Sequence, residues 1–573
     1  MPPKGTSLMS KNILIFVLVL VGFFAYAFSL NNQLLWDDEQ FIYKNVFVQD
    51  FAVGKIFTTN TTAGAGVVGN YYRPLTTLSF ALNYALHGWH PFGFHLVNTL
   101  LHLGAGVILF LLLKRLTLGE RASFWVSLLF LIHPLQTEAV VYANSRGDSF
   151  FTFLLFLSLY LFAVGFRSDR LGRWQYLDSF KKLLFYFLSG ISFSLAILAK
   201  EIAVAGIGLF GLILLMFVFI ESGKKKISLG LAGLIKLARR FSSEIIFILV
   251  LIGGEIFYFA LRLTKLNFQN SLNFYNGENL YTQSLAVRLY TFGKIFWDYL
   301  RLLIFPYPLH MERTGQIILS PFNIFMALNL LLVISVVGVG FYELRRKRTI
   351  WIWFGSLWFL GMLAPVSGIV PINGLIYEHW LYVPMIGFFI ALIKIGQILL
   401  GFLSEKFSFF KKNIARIEFD YVGVVIVTVL VLLTIRQNYL WRQPIVFYEY
   451  TLQFSESARL FNNLGMAYDA GGSYSRALNS YSQALELDDS YPQIHHNLAQ
   501  TYARLNRVDE ARTEYEMAIT ISPNFYHSYV PLIRIYLYQE KYDQALERLE
   551  QLMELYLENK ELEAWRREIE KKR

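Results

Sequence analysis

The feature that most constrains this chain is a succession of long apolar stretches, separated by short polar or basic loops, that continues to about Arg436. A bilayer core takes roughly 20 consecutive apolar residues as a helix, because a helix satisfies its own backbone groups where no water can. Candidate spans fall near 12–30, 92–113, 121–133, 149–166, 183–199, 202–220, 242–263, 320–342, 350–365, 380–402 and 421–435, eleven in all. The first follows Lys4 and Lys11 and lacks a small-residue cleavage site, so it reads as a retained signal anchor. Of the 573 residues only 16% are charged and 55% are hydrophobic, which excludes an ordinary soluble enzyme and a disordered tail. The lack of cysteine excludes a disulfide scaffold. A net charge of +11 would point to nucleic acid in a soluble protein. Here lysine and arginine mark topology instead, and no nucleic-acid partner is expected.

The basic loops set an orientation. Lys114-Arg115, Arg167 to Arg173, Lys224-Lys225-Lys226, Arg345-Arg346-Lys347-Arg348 and Lys411-Lys412 all fall inside if the N-terminus is cytoplasmic. The stretch 286–305 carries Arg288, Lys294, Asp298 and Arg301 and would break this alternation if it crossed. It therefore reads as an interfacial or re-entrant helix.

After Trp441 the long apolar runs stop and a period appears. Leu464, Leu498 and Leu532 are 34 residues apart, as are Tyr468, Tyr502 and Tyr536, and Ala477, Ala511 and Ala545. Small residues at this period let two antiparallel helices pack closely, which is the tetratricopeptide signature. The third copy has Ile533 and Leu552 at its small positions, as a terminal repeat often does. The expected fold is all-α: a polytopic transmembrane bundle of about eleven spans over 1–440, a linker at 441–457, and a repeat solenoid over 458–573. The repeats run at about 458–491, 492–525 and 526–559, on the outer face.

Several outer loops hold residues with chemistry to offer. Leu35-Trp36-Asp37-Asp38-Glu39-Gln40 places three acids just beyond a membrane exit, where nearby hydrocarbon raises the cost of charge. A carboxylate there can take a proton from an attacking hydroxyl, with its neighbour shifting or orienting it. The same residues also suit a helix start, with Asp37 as cap and acids in the first turn; the two roles are compatible. The loop from His133-Pro134 through Glu138 to Arg146-Gly147-Asp148 adds a histidine, two acids and an arginine, whose planar fork suits phosphate. A solvated turn explains it equally well. Lys200-Glu201 lies between two apolar runs and is either an intramembrane ion pair or a contact for an anionic head group. Tyr71-Tyr72-Arg73-Pro74 and Tyr377-Glu378-His379-Trp380-Leu381-Tyr382, taken alone, are aromatic-belt sequences.

Other signals carry less. His495-His496 is a poor metal pair, since adjacent helical residues point about 100° apart. His87, His90 and His95 fit no metal spacing. There is no phosphate-binding glycine loop and no G-x-S-x-G, so nothing points to ATP-driven transport or a serine hydrolase.

Taken together, the motifs resemble the transmembrane and tetratricopeptide-repeat-containing proteins of the C superfamily of glycosyltransferases. The matching stretches are Trp36-Asp37-Asp38, Tyr72-Arg73-Pro74-Leu75-Thr76, Asn83-Tyr84 and Pro91-Phe92-Gly93-Phe94-His95-Leu96-Val97-Asn98 with Leu101-His102. His133-Pro134, Thr137-Glu138-Ala139-Val140, Arg146, Lys200-Glu201 and Leu381-Tyr382-Val383-Pro384 complete the set. The resemblance implies transfer of a sugar, mannose or a similar hexose, from a polyprenyl or dolichyl phosphate carrier to a protein hydroxyl outside the cytosol, with inversion. It implies Asp37 as base and Asp38 as its partner, with Arg73, Arg146 and Lys200 on the donor phosphate. His133, Glu138, Asp148, Glu201, Glu378, His379 and Tyr382 would line the site. The acids leave room for a divalent metal, whose place the cations could take. The repeats would hold an acceptor protein or a partner. A bacterial inner membrane is favoured, or the endoplasmic reticulum in a eukaryote. The competing readings are a flippase of lipid-linked sugars and a non-catalytic scaffold.

Overall fold

The computed structural model describes all residues except 1–9, 68, 169–173, 177–178, 226–237, 269–279, 314, 347–348, 370–373, 407–413 and 556–559. It divides into two compact units, Met1–Arg442 and Gln443–Arg573.

In the first unit, nine helices among the described residues are long and apolar enough to cross a membrane, from Lys11–Ser29 to Val422–Leu440. Glu120–Ile132 and Pro134–Val141, bent by 53° at a short break, count as a tenth if taken as one span. Trp351–Val366 is a shorter apolar helix where a span is expected near 350–365. The polytopic helical bundle is thus borne out, with nine or ten candidate spans among the described residues where about eleven are expected. Leu285–Ile304 is a helix of 20 residues but is not among the candidate spans. Its Lys294 and Asp298 pair at 2.8 Å, and Arg288 is buried with its Nε donating to the Gly368 carbonyl at 2.7 Å. An antiparallel ribbon, Phe166–Ser168 with Trp174–Tyr176, is the departure from an all-helical chain. The expected inner loops at 167–173, 224–226, 345–348 and 411–412 lie at least in part outside the described residues.

Close helix contacts come from small residues and buried hydroxyls, which replace the hydrophobic drive that lipid removes. A Cβ on Gly355 would lie 2.5 Å from the Gly387 carbonyl, and one on Gly387 2.3 Å from that of Gly355. Helices Trp351–Leu363 and Pro384–Lys406 therefore meet backbone to backbone. The Ser158 hydroxyl donates to the Ser189 carbonyl at 2.6 Å, joining helices Arg146–Val164 and Ser179–Ala199.

Between the first two long helices the chain folds into short turns and the helix Pro74–His87, over a core that includes Phe41, Ile42, Val48, Ile56, Phe80 and Phe94. Proline at the first position of Pro74–His87 and of Pro91–Arg115 starts each helix without losing a hydrogen bond.

The second unit carries the repeat pairs Ala458–Ala470 with Tyr474–Leu487, Pro492–Arg504 with Val508–Ile521, and Tyr529–Tyr538 with Tyr542–Leu555. Ala477, Ala484, Ala511, Ala518 and Ala545 are wholly buried, as the period requires. The expected linker at 441–457 contains a helix, Pro444–Leu452, that packs on Ala458–Ala470 and so belongs to this unit. A last helix, Lys560–Lys572, follows the third pair and sets Ile569 into the same apolar core.

Candidate active site

The segment after the first span turns sharply at Trp36, whose φ of 59° is unusual for so large a side chain. The Asp37 carbonyl then accepts from the amides of Gln40 and Phe41, opening the helical turn Glu39–Tyr43. The cap position of that turn is Asp38, without a side-chain cap bond, and Asp37 contributes only its carbonyl. Its amide donates to the Tyr142 hydroxyl at 3.0 Å. Asp38 is buried, 1% exposed, and accepts from the amides of Leu35 at 3.0 Å and Asn144 at 2.7 Å. Burial pushes its carboxyl up to about 8, helped by the Asp37 charge and resisted by the two amides and Arg146. Asp37 is the more exposed of the two. The acid pair is therefore clamped onto residues 142–144, a tie across more than a hundred residues that no local pattern announces.

Beyond Asn144 the helix Arg146–Val164 begins, with Asp148 in its first turn. Lys200 donates to both oxygens of Asp148 at 2.7 Å, and the pair is nearly closed to solvent. Burial lowers the Lys200 ammonium pKa and Arg73 adds to this, while Asp148 opposes it. Gly147 packs on Lys200: a Cβ there would lie 3.4 Å from the lysine side chain. Arg73 donates its Nε to Glu201 at 2.9 Å, and its guanidinium lies over the Tyr71 ring at 4.8 Å. Glu201 also accepts from the Tyr72 amide at 3.0 Å. Burial works against the Arg73 charge, but Glu201 outweighs it and holds the guanidinium above its usual pKa. Residues 142–148 thus meet Asp37 and Asp38 at Tyr142 and Asn144 and Lys200 at Asp148, with Arg73 and Glu201 a separate ion pair.

Arg146 is placed differently from the expectation. It is fully buried, with Nε donating to Asn98 at 2.8 Å, one terminal nitrogen to the carbonyl and hydroxyl of Ser79, and the other to the Phe94 carbonyl at 2.9 Å. Its guanidinium lies 4.5 Å from the centre of the Phe80 ring. These bonds tie three helices beneath the acid loop and turn its donors away from a ligand.

The remaining expected residues form a second group. His379 donates its amide to Glu138 at 3.0 Å and sets Nδ1 2.6 Å from the same carboxylate. Glu378 accepts from the His310 amide at 2.8 Å and from Arg313 Nε at 2.9 Å. Burial, with the Glu138 charge, outweighs Arg313 and lifts the Glu378 carboxyl to about 7. His133 is buried, with one nitrogen 3.2 Å from the Leu303 carbonyl and the other accepting from the Leu135 amide. Tyr382 is buried with its hydroxyl 2.6 Å from His102. Both are packed in the core between helices. Sequence reading missed Tyr142, Asn144, Arg262, His310 and Arg313. Of these, Arg262 donates to Asn70 at 2.7 Å beside the Arg73 group, and its position at the end of an apolar run was the one available signal. Among the described residues no three His, Asp or Glu side chains gather as a metal-binding group.

The tetratricopeptide-repeat models match residues 465–506 and 492–525. Human protein O-mannosyl-transferase TMTC3 is 28% identical over 478 residues, covering 79% of this chain and 48% of that protein. The Caenorhabditis elegans protein O-mannosyl-transferase F38B6.6 is 25% identical over 510 residues, 86% of this chain and 64% of that one. The family resemblance of the motifs is borne out. The chain spans about half the length of the human relative, 48%. Among solved structures, the Archaeoglobus fulgidus oligosaccharyltransferase in its apo form aligns over 82% of this chain and 60% of its own, at 13% identity and a TM-score of 0.40.

Proposed function

We propose that the chain is a membrane glycosyltransferase that moves a hexose, mannose or a close relative, from a polyprenyl phosphate carrier to a serine or threonine hydroxyl on the non-cytosolic face. The observation that carries this reading is the joining of an acid pair to a buried cation through residues 142–148. Asp37, the less buried acid, takes the proton of the attacking hydroxyl, while Asp38 holds the pair in register through two backbone amides. Lys200 and Arg73 receive the departing phosphate, each already balanced by one carboxylate so that the cluster survives without ligand. Arg146 positions the loop instead of touching the phosphate. Glu138, His379 and Glu378 border the acceptor side. Direct attack by the hydroxyl in a single displacement inverts the anomeric centre. The repeats bind the acceptor protein or a partner, and the orientation with a cytoplasmic N-terminus follows the basic loops.

The test is Asp37→Asn in a reconstituted transfer assay with a labelled polyprenyl phosphate mannose. Transfer should fall by on the order of 10²–10⁴ while the melting temperature stays put. Full activity in that variant removes the assigned base.

A further inference from the structure

Helix Ser242–Leu263 faces mostly outward and buries only Glu244, Leu251 and Glu255. Its two buried acids are treated differently. Glu244 accepts from the Tyr186 hydroxyl at 2.7 Å and meets the Lys182 ammonium at 2.6 Å. Glu255 is only 9% exposed, yet its Oε1 is buried with no hydrogen-bond partner among the described residues. One turn further on, the Tyr258 hydroxyl is also buried and without a partner among them. An uncompensated carboxylate at membrane depth is costly, and a second orphaned polar atom beside it adds to that cost. Two such atoms on one helix face, three residues apart, are the mark of a site kept for something that bonds to both.

Their surroundings say what that is. Tyr258 stands one turn before Arg262 on the same helix, and Arg262 donates to Asn70 at 2.7 Å, in the segment that leads into Arg73 of the cation group described above. At 1.5 Å per residue, Glu255 stands about 10 Å along the helix from Arg262, a span that accommodates a phosphate followed by one sugar ring. An acceptor-bearing acid next to a hydroxyl that both donates and accepts matches a polyol.

We propose that Glu255 and Tyr258 form the subsite for the sugar of the lipid-linked donor and hydrogen-bond its hydroxyls. This rests on the glycosyltransferase reading only for the identity of the ligand, and binding can be measured without turnover. The full chain in nanodiscs is titrated with polyprenyl phosphate and with polyprenyl phosphate mannose. The mannosylated carrier should bind at least about tenfold more tightly than the bare one. In Glu255→Gln with Tyr258→Phe that ratio should collapse towards one, with affinity for the bare carrier unchanged. A ratio near one in the wild-type protein overturns the proposal, as does a variant that keeps the ratio or loses both ligands equally. The expected binding pattern with no wild-type transfer to peptide would uphold the subsite and refute the glycosyltransferase reading.

Discussion

The two units of this chain handle charge in opposite ways. The membrane unit has few charges in its helices, and those it buries at the candidate site are tied to fixed partners: Lys200 to Asp148, Arg73 to Glu201, Arg313 to Glu378, Arg146 to carbonyls of two neighbouring segments. The repeat unit keeps most of its ion pairs near solvent, as with Arg512 and Glu516, and buries alanines and tyrosines instead. The difference follows from solvent. In lipid an unpaired charge has no water to fall back on, so a buried ionic group is costly unless the fold satisfies it. A repeat surface bathed in water can carry its charges loosely, and its stability rests on close packing.

Perturbing each side of this contrast should give effects of graded size. The largest belongs to Asp38. Its carboxyl sits at about 8 in the folded chain against an ordinary 3.8, so the folded form binds a proton that the unfolded chain has released over that window. Stability should therefore fall as pH rises from about 4 to about 8 and level off above. In Asp38→Asn the pH slope should shrink, and melting curves in detergent from pH 4 to 9 read it directly; parallel curves would contradict the burial argument. Next is Arg146→Met, which strands the Asn98 amide oxygen and the carbonyls of Ser79 and Phe94. At about 1–3 kcal/mol for each buried group left unsatisfied, thermal unfolding should show a loss of 3 kcal/mol or more. In the repeat unit, Ala511→Leu forces extra methyl groups into a fully buried position, and denaturant unfolding should report a loss of about 1–3 kcal/mol. The smallest effect is that of the half-exposed Arg512–Glu516 pair, for which a double-mutant cycle should return about 0.3–0.5 kcal/mol. A coupling several times larger would erase the contrast between the two units.

Legibility in the sequence follows the same division. The repeat unit could be read residue by residue, because Leu464, Tyr468 and Ala477 recur at a period set by local helix pairing. Only its start was misplaced, since Pro444–Leu452 precedes the first recurring residue and carries no period of its own. Most spans were also legible, since lipid demands length and apolarity of each helix separately. The candidate site was only half legible. Asp37 and Asp38 stood out as acids beside a membrane exit, and Lys200 as a cation between two apolar runs. That Asn144 clamps Asp38, that Asp148 holds Lys200, and that Arg146 faces inward depend on contacts 48 to 106 residues apart. Arg146 shows the limit most plainly: an arginine beside acids suits a phosphate by type, but its direction is set by Asn98 and Ser79 on other helices.

By itself, then, the sequence determined the class of fold, the two-part organisation, the family resemblance and the acids worth watching. Each of those is a property of composition, period or a short motif, and each is imposed locally by lipid or by helix pairing. Tertiary structure decided which charges are spent on holding the fold and which remain near one another for chemistry. That choice depends on which helices meet, and pairing between distant segments leaves no local trace. Asp38 and Arg146 were drawn by it into the framework, and Glu255 was left without a partner among the described residues.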